Sequence, residues 1–261
     1  MPQVFMSIIS HNHGDLICKL DCISKLSNRF NIIVKSNVPD DIRLQSYCRG
    51  AKITLLDQNY GLGFGHNNNY VFDYCVDNKE LSDDDYFILL NPDVVVDDLN
   101  LHLLVERMTE SSIDIATINL YKDCNYQEYD KSIRHFPKLI DFVNSFLGWG
   151  NPTEIDKNSV KEQSEVDWCA GSFMAIRASH YKKLRGFDQG YFMYCEDIDI
   201  CYRSSGLGKR VTYFPDIQAV HLAKHANRKI FSKHFYWHVM SVFRFLLSRY
   251  GLTKMKSIIK P

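Results

Sequence analysis

Four carboxylates stand among aromatic side chains between Gly186 and Arg203, in the run GFDQGYFMYCEDIDICYR. Asp188, Glu196, Asp197 and Asp199 share this stretch with Tyr191, Phe192, Met193 and Tyr194. A carboxylate beside apolar surface is costly unless it is hydrogen-bonded, paired or bound to a cation. Gly186 and Gly190 bracket a turn on the approach. From Glu196 onward, Ile198, Cys201 and Tyr202 recur at helical spacing, which predicts that Glu196 and Asp197 open a helix. The helix dipole favours acids there and helps keep a carboxylate ionised, ready to accept a proton. A Glu-Asp pair alone is an ordinary acidic first turn. The surrounding aromatics and a second acidic motif upstream favour chemistry.

That second motif is Asn91-Pro-Asp93, at the end of the apolar run Phe87 to Leu90. Pro92 fixes the backbone, and Asp93 is expected to project into a cleft. A single strand-end carboxylate suits a hard divalent cation whose other ligands are water and phosphate oxygens. Standing alone, the same tripeptide is only a turn. Asp83 to Asp85 reads as a solvated loop. His221 and His225 are spaced i, i+4 and could ligate one metal from a helix. Ala219 to Leu222 reads as extended, however, so one of them is the expected ligand rather than both. His11 and His13 read as loop residues.

The run from Asn59 to Asn69, NYGLGFGHNNN, follows one apolar run and is expected to open a helix. Glycines let backbone approach a ligand closely, and a helix N-terminus suits phosphate. His66 stands where the third glycine of G-x-G-x-x-G belongs, so the dinucleotide fingerprint is not met. The plain alternative is a glycine-rich turn with an Asn cap. Taken together, the loop, the strand-end Asp, the acidic helix start and a later His suggest metal-assisted transfer from a nucleotide-diphosphate donor. A cation would offset charge on the leaving diphosphate, and a carboxylate would take the proton from an attacking hydroxyl.

These residues need a scaffold that gathers them. Val4 to Ser10 is a strand-length apolar run ending in the polar loop His11 to Asp15, and Leu16, Ile17, Leu20, Ile23 and Leu26 mark one helix face. Phe30 to Val34, Ile53 to Leu56 and Phe87 to Leu90 are further buried strands. Strands alternating with helices predict an α/β fold with a mostly parallel sheet. Ligands lie beyond the carboxyl ends of such strands, so the loops after the first, third and fourth are expected to share a cleft. Cys124 to Glu165 is irregular, an insertion or covering loop. Strand character resumes in Val166 to Arg177, with short strands expected at Val211 to Phe214 and Ala219 to Leu222.

The 261 residues fit one large domain, or one with an appendage. Net charge is zero, yet Asp216 is the last acid; after it come Lys224, Arg228, Lys229, Lys233, Arg244, Arg249, Lys254, Lys256 and Lys260. From Asn227 these cations mix with aromatics such as Phe231, Phe235, Tyr236 and Trp237, as in a helix lying on an anionic membrane. A packed C-terminal helix with a solvated basic face is the alternative, and nucleic-acid binding is not expected. No run reaches the roughly 18 apolar residues of a spanning helix; Val239 to Leu247 is broken by Arg244. The N-terminus lacks a basic leader and long apolar core, so no secretory signal is expected. The cysteines form no C-x-x-C pair and no paired metal-ligand spacing, which suits reduced thiols in a cytoplasmic protein.

In this order, GFGHNNN, LLNPDV, DWCAGSFM and GFDQGYFMYCEDIDIC resemble the motif series of glycosyltransferase family 2. The similarity is greatest to bacterial rhamnosyltransferases of O-antigen assembly and runs from about Val4 to the C-terminus. The resemblance implies a GT-A fold: a Rossmann-like, mostly parallel sheet flanked by helices over 1–226, with the nucleotide-sugar part at about 1–120, the acceptor part at 121–226, and a basic aromatic helical segment at 227–261. Ser10, His11 and Asn12 match the first nucleotide loop. Ser36, Asn59, Gly61, Gly63, Asn67 and Asn91 complete the implied donor site. Ser36 replaces the family's base- or ribose-binding Asp, and Asn91 replaces the first Asp of D-x-D. Asp93 and His221 match metal ligands, for Mg²⁺ or Mn²⁺. Asp197 matches the general base, with Glu196 beside it, while Trp168, Cys169, Gly171 and Ser172 match the acceptor pocket. The implied reaction is inverting transfer of L-rhamnose from dTDP-L-rhamnose to a polyprenyl-diphosphate-linked GlcNAc, at the inner face of the cell membrane. Another sugar, galactofuranose or a hexose, is the alternative donor. An inactive sugar-nucleotide or glycan-binding protein is the alternative class, and the presence of both Asp93 and Asp197 speaks against it.

Overall fold

A computed structural model describes residues 2–222 and 233–260. His225 and the first part of the basic tail, 227–232, lie outside the described residues. Four strands form the parallel half of the sheet, in the order β3 (Thr54–Leu56), β2 (Asn31–Ser36), β1 (Val4–Ser10), β4 (Tyr86–Leu90). β1, β2 and β4 are near-continuous apolar runs, as a sheet covered on both faces requires. Alternate residues feed two cores, with Phe5, Ile33 and Phe87 on one side and Met6, Val34 and Ile88 on the other. Helices α3 (Ile42–Gly50) and α4 (Phe64–Asn78) flank this half. The helix expected through Leu16 to Leu26 is two, α1 (Gly14–Leu20) and α2 (Cys22–Leu26). Asp21 breaks it in a left-handed conformation (φ 47°), held by Ser24 Oγ at 2.5 Å and Tyr47 O–H at 2.9 Å. Asp tolerates that region better than most residues.

The second half continues through β5 (Val94–Val95), α5 (Asp98–Glu110), β6 (Ile115–Tyr121), β7 (Ile133–Arg134) and α6 (Leu139–Phe146). It ends with β8 (Ser164–Val166), β9 (Trp168–Cys169), β10 (Phe173–Arg177), α7 (Ala178–Lys183), α8 (Glu196–Gly206), β11 (Val211–His221) and α9 (Lys233–Arg249). β10 is antiparallel to β4 and β6, and β11 runs parallel to β6. The sheet is mixed and mostly parallel in its first half, with helices against it, as the α/β reading expects. Val166 to Arg177 is not one strand: it breaks at Ala170 to Ser172, where Ser172 O accepts from Asn91 N at 2.9 Å. Conversely, the two short strands expected at 211–222 are one, β11. Its register shifts between Phe214 and Gln218, around Pro215, which has no N–H to give the ladder. The irregular segment 124–165 supplies β7, α6 and a 3₁₀ turn, Lys157–Ser159.

The tail folds back as α9 and is latched. Arg244, inside α9, donates to Asp188 Oδ2 at 2.9 and 2.6 Å, and Lys256 N donates to Asp188 Oδ1 at 3.0 Å. Val242 and Phe245 are buried beneath it. No helix among the described residues is long and apolar enough to cross a membrane.

Candidate active site

A cavity of about 520 Å³ opens beyond the carboxyl end of β4, lined by Asn91, Trp168, Gly171, Ser172, Glu196, Asp197 and His221 among others. Each arrives for a local reason. The Asn91-Pro-Asp93 turn is held on two sides, by Asn91 N to Ser172 O and by Leu222 N to Asp93 O at 3.0 Å. Glu196 and Asp197 begin α8, as the spacing predicts. The two residues before the helix body, Tyr194 and Cys195, are both left-handed (φ 72° and 62°). Non-glycine residues there cost about 1–3 kcal/mol each and persist only where the surroundings impose them.

The four acids of this stretch separate into two pairs. Asp188 is neutralised by Arg244. Asp199 accepts from Arg203 Nε at 2.8 Å, one helical turn on. Both hold structure. Glu196 and Asp197 instead open the helix side by side, with the charge of Arg134 acting on Asp197. Asp197 accepts from Ile198 N at 2.9 Å and Gly171 N at 3.3 Å, and burial pushes its carboxyl above the usual aspartate range despite those bonds. Glu196 is buried, its Oε2 has no partner among the described residues, and burial, reinforced by the charge of Asp197, pushes it up to about 8. Of the two, Glu196 is the more readily protonated.

This arrangement makes stability depend on pH. A carboxyl raised in the folded state stabilises fully below its unfolded value, and that contribution is lost as pH rises through the folded value. For Glu196 the window runs from 4.5 to about 8. Glu196→Gln is expected to flatten the fall of Tm across that window, as read by thermal unfolding. A slope unchanged from wild type would contradict the assignment.

Asp93 meets His221, the last residue of β11. His221 Nε2 lies 3.4 Å from Asp93 Oδ1, and its Nδ1 lies 2.5 Å from Asp130 Oδ2. Burial pulls the imidazolium down, but the two carboxylates outweigh it and push His221 up to about 9. Burial likewise raises Asp93, and His221 more than reverses this, leaving it lowered. Asp130 was not foreseen in the sequence. Behind it lies buried Lys157, whose Nζ donates to Ser132 Oγ at 2.9 Å. Among the described residues no three His, Cys, Asp or Glu side chains form a ready cation cage. The Asp93 carboxylate nevertheless fits Mg²⁺ or Mn²⁺ in the mode that uses one or two carboxylates plus substrate phosphate, and His221 would join it on giving up the proton that the two carboxylates favour.

The remaining expected donor residues gather around Asn37, which sequence reading passed over. Asn37 N donates to Ser10 O at 2.7 Å, its Oδ1 accepts from Leu62 N at 2.9 Å, and its O accepts from Gly61 N at 3.1 Å. It thereby ties the loops after β1, β2 and β3 together. His11 and Asn12 stand exposed on the first loop, and His13 lies within charge reach of Asp93. Asn59 and Gly61 are exposed and left-handed (φ 55° and 71°). Ser36 and Asn67 are different: both are buried, Ser36 Oγ donates to Val38 O, and Asn67 Nδ2 donates to Leu62 O and Gly63 O. Their side chains hold the loops. On the acceptor side Trp168, Gly171 and Ser172 line the cavity, whereas Cys169 points to the opposite side of its strand and is wholly buried.

Gly63 joins the two loop systems. It caps α4, Phe64 N donates to Phe192 O at 3.0 Å, and a Cβ on Gly63 would overlap that same carbonyl. Overpacking of this kind costs about 1–3 kcal/mol, and about 2–4 °C in Tm per kcal/mol at this size. Gly63→Ala should lower Tm accordingly, while Gly206→Ala, with nothing within 4 Å of its Cβ, should not. Equal Tm values for the two variants would contradict this.

Comparison with known proteins gives a consistent set. No protein-family model matches. The chain is 40% identical to rhamnosyltransferase WbbL of Escherichia coli K12, over 99% of this chain and all of that one. It is 30% identical to an N-acetylglucosaminyl-diphospho-decaprenol L-rhamnosyltransferase of Mycobacterium tuberculosis, over 78% of this chain and 69% of that protein. Among solved structures it superposes on GalNAc-T7, solved with UDP, GalNAc and Mn²⁺, at a TM-score of 0.63 and 12% identity. That match takes in 94% of this chain but only 48% of the longer structure. Glucosyl-3-phosphoglycerate synthase of M. tuberculosis, solved with Mn²⁺, UDP and glucosyl-3-phosphoglycerate, superposes at 0.58 and 14% identity, covering 97% of this chain and 81% of that one. At these identities the structural likeness speaks for the fold.

Proposed function

Because this chain belongs to the GT-A rhamnosyltransferases of glycosyltransferase family 2, we propose that it moves L-rhamnose from dTDP-L-rhamnose to the GlcNAc of a polyprenyl-diphosphate acceptor, with inversion. The observation that carries the chemistry is Asp197: a carboxylate fixed by two backbone N–H groups, lining the same cavity as Asn91 of the Asn91-Pro-Asp93 turn. An acceptor hydroxyl in that cavity gives its proton to Asp197 as its oxygen bonds the anomeric carbon. The bond from that carbon to the diphosphate oxygen breaks, and dTDP leaves on the side opposite the attack. Glu196, the more readily protonated and with an oxygen unpartnered among the described residues, is suited to hydrogen-bond the acceptor sugar. A divalent cation, Mg²⁺ or Mn²⁺, held by Asp93 and His221 would offset charge on the departing diphosphate. Asp130 orients His221 through Nδ1, as outer partners of metal-ligating histidines do.

In this reading residues 1–120 hold the nucleotide sugar, with Ser10, His11, Asn12, Asn59, Gly61 and Gly63 supplying loop backbone and Asn91 facing the diphosphate. Residues 121–226 hold the acceptor through Trp168, Gly171 and Ser172. Segment 227–261 brings the enzyme to the inner face of the membrane, where anionic lipid attracts its acid-free run of lysines and arginines. Since α9 is packed and latched to Asp188, deleting the tail would also damage the fold. The cleaner variant is Lys254→Glu with Lys256→Glu and Lys260→Glu, all three being exposed. It is expected to lose binding to anionic vesicles that wild type shows at low salt and releases at high salt. Wild type ignoring such vesicles would refute the tail's role.

The donor is tested with a panel of dTDP-rhamnose, UDP-galactofuranose and UDP-hexoses against a GlcNAc-diphosphate lipid. Turnover with dTDP-rhamnose alone is expected. Preference for a UDP-sugar would transfer the assignment to another sugar, and donor binding without turnover of any would leave a binding protein.

A further inference from the structure

We propose that α6 and the tip that follows it form a wedge, at the mouth of the acceptor cavity, that inserts into the headgroup boundary of an anionic bilayer. The sequence LIDFVNSF makes an eight-residue helix with only Phe142 buried, its ring 6.4 Å from that of Phe245 in α9. Leu139, Ile140 and Leu147 are 58, 57 and 56% exposed, and Trp149 is 74% exposed. Contiguous apolar surface of this kind marks an interaction site in a soluble protein. Trp149 stands between Gly148 and Gly150, both left-handed (φ 78° and 91°), in a turn that holds the indole away from the body. Tryptophan, with an apolar body and a polar N–H, is the side chain that settles at a bilayer boundary.

Charge decides between a membrane and a second copy of the chain. α6 lies antiparallel to α9: Arg249 Nη1 donates to Pro137 O at one end, and the Phe146 and Phe235 rings meet at 5.6 Å at the other. Exposed Lys138 begins α6 and exposed Lys233 begins α9, so cations stand at both ends of the pair. The only acid of α6, Asp141, accepts from Lys138 N and caps the helix. α9 adds its own outward stripe of Tyr236, Met240, Phe243 and Leu247. A two-fold dimer through this face would set one basic rim against another, whereas anionic lipid complements it. The inner side of α6, through Phe142 and Phe146, lines the cavity itself. Seating the outer side in lipid therefore brings the mouth to the surface from which a lipid-linked sugar must enter. That last consequence rests on the acceptor proposed above; the wedge does not.

The test uses the full chain and phosphatidylglycerol-containing vesicles at low salt. Vesicles with brominated acyl chains should quench the tryptophan emission of wild type, and Trp149→Phe should abolish most of that quenching. Ile140→Glu combined with Leu147→Glu should weaken vesicle affinity by at least about tenfold. The double variant should keep wild-type turnover on a short soluble GlcNAc-diphosphate analogue while losing turnover on the long-chain acceptor. Undiminished quenching in Trp149→Phe, or undiminished vesicle binding in the double variant, would overturn the wedge. So would a wild-type dimer at assay concentration that the double variant dissolves. The vesicle readouts require no turnover, so failure of the acceptor reading shows separately, as absent transfer to the soluble analogue.

Discussion

Asp197→Asn is expected to lower transfer by about 10²–10⁴-fold, the usual worth of a general base, with donor affinity within a few fold of wild type. The replacement removes the proton acceptor and almost no volume. One amide oxygen can still take the bond from Ile198 N, so the start of α8 is kept; the 3.3 Å contact from Gly171 N is the one at risk. Wild-type rate should rise with pH as Asp197 ionises. Because burial raises that carboxyl, the rising limb should lie above the pH of an ordinary aspartate, and it should vanish in Asp197→Asn. Retention of more than about a tenth of wild-type rate, far above the general-base expectation, would move the role to Glu196.

Asp93→Ala is the second large effect. It removes the carboxylate at the end of β4 and leaves His221 with Asp130 alone. Loss of charge stabilisation at a leaving group costs about 10²–10³-fold in rate, and donor binding should weaken in metal yet hardly change in chelator. In wild type, chelator should suppress transfer, and Mg²⁺ or Mn²⁺ should restore it. Asp130→Ala keeps both ligands and removes the brace on Nδ1, so about 10–100-fold in metal affinity is expected. Full wild-type activity in excess chelator would refute the cation assignment, and Asn91 in place of a second carboxylate makes this the sharper trial.

Local pattern revealed what local physics decides. Apolar runs of strand length located β1, β2 and β4, and 3.6-residue spacing located the start of α8 at Glu196. Pairings across long stretches of chain were not legible. Asp130 and His221 are 91 residues apart, and Asp130 lies in the irregular segment that gave no periodic signal. Asp188 could not be told from Asp197 until Arg244, 56 residues on, was seen to claim it. Asp199 was separable, since Arg203 stands one turn later on the same helix face. Cys169 was also within reach: strand alternation from Trp168 turns it to the core. The exposed face of α6 was not, because an apolar octapeptide reads as core until its surroundings are known.

The proposed reaction turns on one base, one displacement and a rhamnosyl donor. Its most direct test is the NMR spectrum of the disaccharide formed by wild type from dTDP-L-rhamnose and a GlcNAc-diphosphate acceptor, read for the anomeric configuration of the new linkage. A rhamnosyl-GlcNAc product with configuration opposite to the donor's is predicted. A product of the same configuration as the donor, or none from this donor while a UDP-sugar is consumed, would contradict it.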